Sequence, residues 1–316
     1  MKILKKLYYN LCACYIYIMA DRIIGPYHQV KAKKNKVNMF DYNPKLQRKG
    51  ALPNNSRFNL GDYLGFVITS WMLEKKGLSL DTWIPGRRHL NTVGSTLLTM
   101  YQNSTVWGSG MLCDNFPKIN YFLCRYPLTR LDIRAVRGPL TREVLLRLGQ
   151  KCPETYGDPA ILMPLIYNPD VEKNHKYSII AQFAHEKMFR EKHPEEHIIS
   201  MNTNDYRSVI DEIKKSELVY SSSLHGIILA ESYGVPAVFF RALAKTTDFK
   251  YKDYYASTGR EDIHFPSTFE EALQTAPPPL PDLSDLQKGL LDAFPYDLWE
   301  DGINGLNINK PNDAPS

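Results

Sequence analysis

Hydrophobic and polar positions alternate in blocks from about residue 59 onward, in the order typical of an α/β protein. Pro139 suits the first turn of a helix and Gly149 suits a helix end, so we place a helix between them. The remaining pattern of this first block predicts a helix over 62–76 and strands over 92–98, 104–107 and 131–136.

A second block follows a polar segment at 168–176 that contains Pro169, where we place a domain boundary. It is predicted to contain strands over 177–183, 197–201, 218–222 and 236–240, and helices over 206–216, 224–233 and 269–276. A proline-rich spacer at 276–281 precedes a last amphipathic helix at about 284–293. Two runs of strand–helix–strand character predict two parallel-sheet layers.

Charge is distributed unevenly along the chain. Residues 1–50 contain 11 Lys and Arg against 2 Asp, a net charge of +9. The other 266 residues contain 28 Lys and Arg against 32 Asp and Glu, a net charge of −4, which argues against a nucleic-acid groove in the folded part. The overall composition, 43% hydrophobic and 23% charged, excludes a mainly disordered chain and a multi-spanning membrane protein.

The uncharged segment 7–20 is shorter than the roughly 20 residues of a membrane-spanning helix and lacks the small residues of a signal-peptide cleavage site. We therefore expect residues 1–36 either to contact the cytoplasmic face of a membrane through their lysines or to form an ordinary helix packed on the body. The five cysteines include no C-x-x-C pair, which predicts reduced thiols and a cytoplasmic protein.

Three serines end the strand predicted at 218–222, and a helix begins directly after them. The free N–H groups of a helix start form an anion site, to which Ser222 and Ser223 add hydroxyl groups. His225 lies in the first turn, where the helix dipole favours the neutral imidazole, so it can act as a base or donate a hydrogen bond to phosphate. Alternatively, the serines only cap the helix and His225 has a structural role.

Asn59, Gly61 and Asp62 come at the start of the helix predicted at 62–76. Gly61 allows close backbone approach, and Asp62 can either cap the helix or act as a general base. Ser109 lies in a Trp-Gly-Ser-Gly sequence after the strand at 104–107, which resembles a glycine loop that admits a ligand.

Arg137 is placed at a strand end beside a helix start, which suits a phosphate or carboxylate because arginine binds both through paired hydrogen bonds. The alternative is an ordinary surface charge. Residues 249–260 mix aromatic and cationic side chains, among them Lys250, Tyr254 and Arg260, in a segment predicted to be a loop. Aromatic faces stack on sugar rings and cations bind anions, although a buried aromatic turn would have the same composition.

His193 and His197 have the H-x-x-E-H spacing of a zinc site. Pro194 restricts His193 to an extended conformation, and His197 opens a predicted strand, so the two histidines would not share a helix face. No third ligand is evident from the sequence, and we do not expect these two residues to bind a metal together.

Five motifs occur together in this chain, in the order Asn59-Leu60-Gly61-Asp62, Val106-Trp107-Gly108-Ser109-Gly110, Ala135-Val136-Arg137-Gly138-Pro139-Leu140-Thr141-Arg142, Tyr156-Gly157-Asp158-Pro159-Ala160 and Ser221-Ser222-Ser223-Leu224-His225-Gly226. With them, about residues 55–300 resemble the polysaccharide pyruvyl transferase family. The sequence is most similar to the branch that makes glycosyl ketal-pyruvate groups in bacterial exopolysaccharides and capsules, through Lys252–Tyr255, Thr258–Arg260 and the segment 290–299.

The resemblance implies an α/β fold like that of type B glycosyltransferases, with two Rossmann-like domains facing a cleft and a C-terminal helix that returns to the first domain. On this basis we predict a basic arm over 1–50, an acceptor-side domain over 51–168, a donor-side domain over 169–276, a linker and returning helix over 277–300, and a disordered tail over 301–316.

The resemblance also implies phosphoenolpyruvate as the donor and a sugar as the acceptor, expected on a polyprenyl-diphosphate-linked oligosaccharide, with no metal required. We predict His225 as the catalytic acid and base, and Asp62 as the base on the acceptor side. The predicted substrate-binding residues are Arg137, Arg260, Ser222, Ser223, Gly226, Lys250, Tyr254, Asn59, Ser109 and Asp158.

Many family members have arginine where this chain has Ser223, so Arg260, Arg137 or Lys250 is expected to supply that cation. Asp158 is expected to order a loop beside the site rather than to react.

Two other functions fit the same fold and motifs, a glycosyltransferase that uses a nucleotide sugar and a non-catalytic scaffold that binds membrane-attached glycans.

Overall fold

Two parallel β-sheets organise the chain. The computed structural model describes residues 35–39, 59–86, 88–98, 104–114, 131–182, 185–242 and 247–300. The first sheet has strand order β1-β2-β3-β4, with β1 at Val37–Met39, β2 at Arg88–Asn91, β3 at Ser104–Trp107 and β4 at Asp132–Ala135. The second has strand order β5-β6-β7, with β5 at Ser178–Ile180, β6 at Val219–Ser221 and β7 at Ala237–Phe239. The predicted α/β class with parallel sheets is confirmed.

Helices connect and cover these strands. In the first half they are α1 at Leu60–Glu74, α2 at Pro139–Arg147, and 3₁₀ segments at Thr96–Leu98 and Pro159–Leu165. In the second half they are α3 at Glu186–Lys192, α4 at Tyr206–Lys214, α5 at Leu224–Ser232, α6 at Phe249–Ser257, α7 at Phe269–Ala272 and α8 at Ser284–Asp292. Helix α2 begins at Pro139 and stops before Gly149, whose φ of 79° is the left-handed conformation that glycine adopts without strain.

The strand order of the second sheet reverses at β5. Ile198 forms an isolated parallel bridge with Ile179 on the side of β5 opposite to β6. After β5 the chain therefore runs outward to Ile198 and then returns to the other side as β6. In open parallel sheets, such a reversal opens a crevice at the carboxyl ends of the two strands. In this chain the rule places the ligand crevice between the ends of β5 and β6.

Several predicted elements differ from the structure. Strand β1 lies inside the range predicted as arm and linker, because its three residues are surrounded by a polar, lysine-rich sequence that gives no strand pattern. The strand predicted at 92–98 is instead β2 at Arg88–Asn91, and the chain turns at Gly94, whose φ is 95°. The strand predicted at 197–201 forms only the single bridge at Ile198.

The aromatic segment 249–260, predicted as a loop, contains helix α6. Tyr251, Tyr254 and Tyr255 have the i, i+3, i+4 spacing of one helix face, and all three are buried. The mixed composition hid this periodicity, because Lys250, Lys252 and Asp253 alternate with the tyrosines.

The C-terminal segment packs on the first half of the chain. The Trp107 indole N–H donates to the backbone carbonyl of Leu290 at 2.9 Å, and the Trp107 ring meets Phe294 edge to face at 4.8 Å. The Tyr296 hydroxyl donates to the carbonyl of Met72 at 3.0 Å. Buried hydrophobic side chains from both halves form one continuous cluster that includes this segment.

Two predictions concern residues outside the described part of the chain. They are the membrane-contacting segment 1–36, except its last two residues, and the disordered tail 301–316. Across the described ranges, every helix falls short of the length or the hydrophobicity that crossing a membrane requires.

Candidate functional site

His225 stands at the carboxyl end of strand β6, in the first turn of helix α5. The helix starts close to the strand because Gly226 has no side chain, and a Cβ there would lie 2.3 Å from Ser221 Oγ. The His225 side chain is 12% exposed, so it is enclosed but still reachable from the crevice. The fold therefore places an imidazole at the point where parallel sheets bind ligands.

The His225 ring packs on the first turn of helix α1, from the other half of the chain. A Cβ added to Gly61 would lie 2.1 Å from His225 Nδ1, so only glycine leaves room for the ring. On the far side of the ring, Nε2 lies 3.6 Å from Oδ2 of the fully buried Asp158. Within the described residues, neither of these two buried atoms has a hydrogen-bond partner. Because buried polar atoms normally have a hydrogen-bond partner, these two groups can bind a shared proton or a substrate atom.

Asp62 lies beside His225. A Cβ added to Gly94 would lie 2.9 Å from Asp62 Oδ1 and 3.7 Å from His225 Cε1, so the loop at Gly94 packs against both side chains. Asn59 Nδ2 donates to Asp62 Oδ2 at 2.9 Å. Asp62 is 8% exposed. Asn59, the residue before helix α1, thus orients the carboxylate, and Asp62, His225 and Asp158 converge from three separate segments.

Ser109 holds the loop at Gly94, which packs against Asp62 and His225. It is fully buried, and its Oγ lies 2.9 Å from the carbonyl of Gly94 and 2.7 Å from Thr96 Oγ1. These contacts hold the loop that packs on Asp62. Ser109 is predicted to bind substrate, and its geometry fits the positioning of the Gly94 loop instead.

The two serines directly before helix α5 differ in their contacts, because only the Ser222 side chain is hydrogen-bonded to a backbone N–H. Ser222 Oγ accepts from the backbone N–H of Gln182 at 2.9 Å, and the Ser222 carbonyl accepts from the Tyr251 hydroxyl at 2.7 Å. Ser223 occupies the N-cap position, and its side chain makes no capping hydrogen bond. Its hydroxyl is therefore better placed than that of Ser222 to contact an anion at the helix start.

Lys250, on helix α6, brings a cation to the same region. Burial and, to a smaller extent, the nearby charge of Arg137 lower the pKa of its ammonium group to about 8, while the charge of Asp62 opposes the shift. His185, which follows strand β5, lies close enough for the charge of Lys250 to lower its pKa in addition to the larger effect of burial. The region thus combines His225, two carboxylates and the cation of Lys250, with His185 and Arg137 within electrostatic reach of Lys250, which suits proton transfer on an anionic substrate.

Arg137 is engaged by protein groups on every side. Its Nε donates to Asp253 Oδ2 at 3.0 Å, Nη1 donates to Ser95 Oγ at 2.9 Å, and Nη2 donates to the carbonyl of Met111 at 2.6 Å. Both members of the ion pair with Asp253 are fully buried. Three of the five N–H donors of the guanidinium are used in this way and the side chain is fully buried, so in this structure Arg137 contacts protein groups and adds its charge near Lys250.

Arg260 and Tyr254 lie away from this cluster. Arg260 holds Glu231 through two hydrogen bonds of 2.7 Å, and the Tyr254 hydroxyl donates to the same carboxylate at 2.7 Å. Glu231 belongs to the last turn of helix α5, whereas His225 belongs to the first. Six residues along a helix correspond to about 9 Å. The structure therefore does not bring Arg260 and Tyr254 to His225, and their contacts are those of a structural ion-pair cluster.

Sequence reasoning missed two residues of this region. His185 carries a buried Nδ1 that has no partner within the described residues, and Asp253 is the counterion of Arg137. A signal for His185 was available, because it follows the strand predicted at 177–183 and side chains after parallel strands gather at the same sheet edge. No local signal identifies Asp253, since its partner is more than a hundred residues away in sequence.

One group of side chains of the metal-binding type occurs in the described part of the chain. It consists of His175, His197 and Glu212, and it belongs to the opposite end of strand β5. His193, the other histidine of the H-x-x-E-H sequence, stacks on Phe189 at 4.5 Å instead of joining His197.

Comparison with known proteins gives two similarities. The family model described as "Polysaccharide pyruvyl transferase" matches residues 35–242. "Uncharacterized protein L143" of Acanthamoeba polyphaga mimivirus is 27% identical over 184 residues, which are 55% of this chain and 61% of that protein. The match thus covers less than two thirds of the length of protein L143. The family match includes Asp62, Arg137, Asp158, His185 and His225, and it ends before helix α6 with Lys250.

Proposed function

Because this chain belongs to the polysaccharide pyruvyl transferase family, we propose that it converts two hydroxyl groups of a sugar into a cyclic pyruvate ketal, with phosphoenolpyruvate as the donor. The observation that carries this proposal is the buried approach of His225 Nε2 to Asp158 Oδ2 at 3.6 Å, with Asp62 packed beside the imidazole and Lys250 within electrostatic reach of Asp62. The reaction needs an acid, a base and cations within one small site, and these residues supply all three.

The donor carries a phosphate and a carboxylate, so its site must be positive. Lys250 and the N-terminus of helix α5 at Ser223 would bind these groups, and the buried charge of Arg137 near Lys250 adds to the positive potential. Ser223 itself carries no charge, and Lys250 supplies the cation that an arginine supplies in many relatives. Arg260 is not part of this set, because Glu231 occupies its guanidinium.

In the first step, protonated His225 would deliver its Nε2 proton to the methylene carbon of phosphoenolpyruvate. The double-bond electrons form the new C–H bond, and positive charge develops at C2. One sugar hydroxyl adds to C2 while Asp62 accepts its proton, which gives a tetrahedral carbon that still carries the phosphate. Asp158 would hold the imidazole in place and stabilise its charged form.

In the second step, the C2–O bond to the phosphate breaks and its electron pair leaves with the phosphate oxygen. Asp62 gives the proton that it accepted to this oxygen, so inorganic phosphate departs and the Asp62 carboxylate is restored. The second sugar hydroxyl then adds to C2 and closes the ketal, and the proton that it releases returns to His225. The net reaction consumes phosphoenolpyruvate and two hydroxyl groups and yields the ketal and inorganic phosphate. In this scheme the residues of the site transfer protons and stabilise charge, and no step requires a metal.

The wider setting belongs to the same proposal. We place the two sheets in an arrangement like that of type B glycosyltransferases, which the return of the C-terminal segment to the first half supports. The acceptor would be a polyprenyl-diphosphate-linked oligosaccharide used for a capsule or exopolysaccharide. The enzyme would work in the cytoplasm, with the basic residues among 1–36 at the membrane surface.

The test uses the full chain with phosphoenolpyruvate and a panel of lipid-linked and free oligosaccharides. We expect phosphate release that depends on the acceptor, and a product heavier than the acceptor by pyruvate minus water. The variant His225→Asn should lower turnover by about 10²–10⁴-fold. His264→Asn, at an exposed histidine paired with Glu271, is the matched control and should leave turnover unchanged.

Two results would count against the proposal. Unchanged turnover in His225→Asn would remove this residue from the mechanism. A product heavier by a sugar, together with thermal stabilisation by a nucleoside diphosphate but not by phosphoenolpyruvate, would identify a glycosyltransferase instead.

A further inference from the structure

Three side chains of the metal-binding type meet at the amino end of the second sheet, away from the crevice at its carboxyl end. His175 precedes strand β5, His197 precedes the bridge at Ile198, and Glu212 belongs to helix α4. Their ligand atoms all lie within 4.8 Å of one another. None of the three takes part in the reaction proposed above. We propose that His175, His197 and Glu212 form a structural binding site for a divalent transition-metal ion of the Zn²⁺ type.

The distances between the ligand atoms fit a tetrahedral ion. His197 Nε2 lies 3.3 Å and His175 Nε2 lies 3.6 Å from the same atom, Glu212 Oε2. Ligands at 2.0–2.1 Å from a tetrahedral zinc ion are separated by about 3.3–3.4 Å. Two imidazole nitrogens and one carboxylate oxygen are ligands that zinc prefers, whereas magnesium and calcium prefer oxygen alone.

Neighbouring groups orient two of the three ligands. Ser178 Oγ lies 2.8 Å from His197 Nδ1, so the Nε2 of this ring is the nitrogen left to face Glu212. The Lys215 ammonium donates to Glu212 Oε1 at 2.8 Å, which leaves Oε2 toward the imidazoles. Such outer partners are typical of metal sites, because they fix the tautomer of the histidine and the rotamer of the carboxylate.

Backbone hydrogen bonds already hold the segments together. His175 N–H donates to the carbonyl of Lys215 at 3.0 Å, and the His175 carbonyl accepts from Glu217 N–H at 2.9 Å. The carbonyl of His197 accepts from Ile179 N–H at 2.9 Å. A metal ion would therefore find its ligands on a rigid frame and would tie together the strand edge and helix α4.

Binding requires one change of side-chain conformation. The rings of His175 and His197 are stacked at 3.9 Å with only 15° between their planes, and a single ion cannot lie in both planes. Because χ2 of histidine is a soft torsion, the His175 ring can turn toward the ion while Ser178 keeps His197 in place. The three side chains are 29–38% exposed, so an ion can enter and water can complete its coordination.

The test is a Zn²⁺ titration of the full chain after removal of metal with EDTA. We expect one equivalent of Zn²⁺ to bind in calorimetry and to raise the melting temperature, with reversal on addition of EDTA. His175→Ala and His197→Ala should each weaken binding by at least about 100-fold. His264→Ala is the matched control, because His264 also pairs with a glutamate but has no third ligand among the described residues, and it should bind like the wild type.

Two further variants keep the test decisive. Glu212→Gln preserves the volume of the side chain, and it replaces the alanine variants if circular dichroism shows that they do not fold. Ser178→Ala removes only the partner of His197, so a positioning role predicts Zn²⁺ binding that is about 10–100-fold weaker at unchanged stoichiometry. The proposal is wrong if the wild type binds no equivalent of Zn²⁺, or if folded His175 and His197 variants bind it as tightly as the wild type.

Discussion

Gly61 and His225 fit together so closely that the absence of a side chain at residue 61 is a feature of the site. The space that a Cβ would need is filled by the imidazole. This contact joins the first turn of helix α1 to the first turn of helix α5, and it brings Asp62 beside the ring. The position of the imidazole therefore depends on a residue that has no functional group of its own.

Gly61→Ala should displace the His225 ring, because the new Cβ would lie 2.1 Å from Nδ1. We expect turnover to fall by about 100-fold or more, since a shift of about 1 Å in a reacting group has an effect of this size. Turnover and urea unfolding are measured on the same preparation.

The control for this variant is Gly289→Ala on helix α8. The nearest atom to a Cβ at residue 289 is Thr155 Cγ2 at 3.5 Å, an ordinary contact. This variant should keep full turnover and gain up to about 1 kcal/mol of stability from the better helix propensity of alanine. Normal turnover in Gly61→Ala would show that the ring contact does not position His225.

Lys250 predicts a pH dependence of donor binding. Its pKa is lowered to about 8, so the ammonium group is charged below that pH and loses its charge above it. Because an anion binds better to the charged form, the Kd for phosphoenolpyruvate should rise above pH 8, by up to tenfold per pH unit. The measurement is the Kd at a series of pH values on either side of 8.

Arginine stays charged over this range, so Lys250→Arg should remove the rise. The exposed Lys252, two residues further along helix α6, provides the control, and Lys252→Arg should keep the rise. The same rise in Lys250→Arg would assign the pH dependence to another group.

Individual site residues were predictable where a motif fixes their backbone position. Asn59, Asp62, Asp158 and His225 come from three separate motifs, and the structure brings them together. The role of a cation was less predictable, because it depends on which carboxylate lies opposite. Arg260 shows this, since its partner Glu231 is on another helix and nothing in the local sequence indicates the pairing.

Helix α6 serves both halves of the chain. Asp253 on this helix pairs with Arg137 and also accepts hydrogen bonds from Thr141, at the start of helix α2, at 2.6 and 2.8 Å. The same helix carries Lys250, and its tyrosine face is buried. One element thus connects the two halves and places a cation in the crevice.

Asp253→Asn should destabilise the protein strongly, because it leaves the buried charge of Arg137 without a counterion. Loss of one partner from a buried pair costs about 3–5 kcal/mol. The free energy of urea unfolding measures this effect. Asp292→Asn, which breaks the exposed pair with Lys288, is the control and should change stability little. Equal effects of the two variants would contradict the importance of burial.

At the scale of elements, the segments with a clear hydrophobic pattern were predictable. Helices α1, α2, α4, α5 and α8 agree with their patterns to within a few residues. Strands β5, β6 and β7 have only three residues each but lie within apolar runs, whereas β1 was missed because it lies in a polar stretch. Helix α6 was missed because its charged residues masked the spacing of the tyrosines.

The molecule as a whole is held together by the turns around Phe294 and Trp299 as well as by its sheets. Phe294 meets Trp107 edge to face at 4.8 Å and stacks on Trp299 at 5.9 Å. All three aromatic side chains are at most 5% exposed. The two parallel sheets were predictable from the alternation of elements, whereas this packing was not, because it joins residues almost two hundred positions apart.

Phe294→Ala should lower the free energy of urea unfolding by about 3–5 kcal/mol, the usual effect of removing a buried phenylalanine. Leu280→Ala is the control in the same C-terminal region, since Leu280 is 45% exposed and should contribute little. An effect of Phe294→Ala as small as that of Leu280→Ala would mean that the C-terminal segment does not complete the core.

The contact of Trp107 with Leu290 and Phe294 also constrains how the chain acquires its fold in the cell. A ribosome that adds 5–20 residues per second needs about 10–40 s to proceed from Trp107 to Phe294. During that interval Trp107 lacks its native contacts with Leu290 and Phe294. The nascent first sheet therefore exposes an apolar surface to chaperones and to other chains. Maturation of the first sheet is therefore tied to the synthesis of the segment around Leu290 and Phe294.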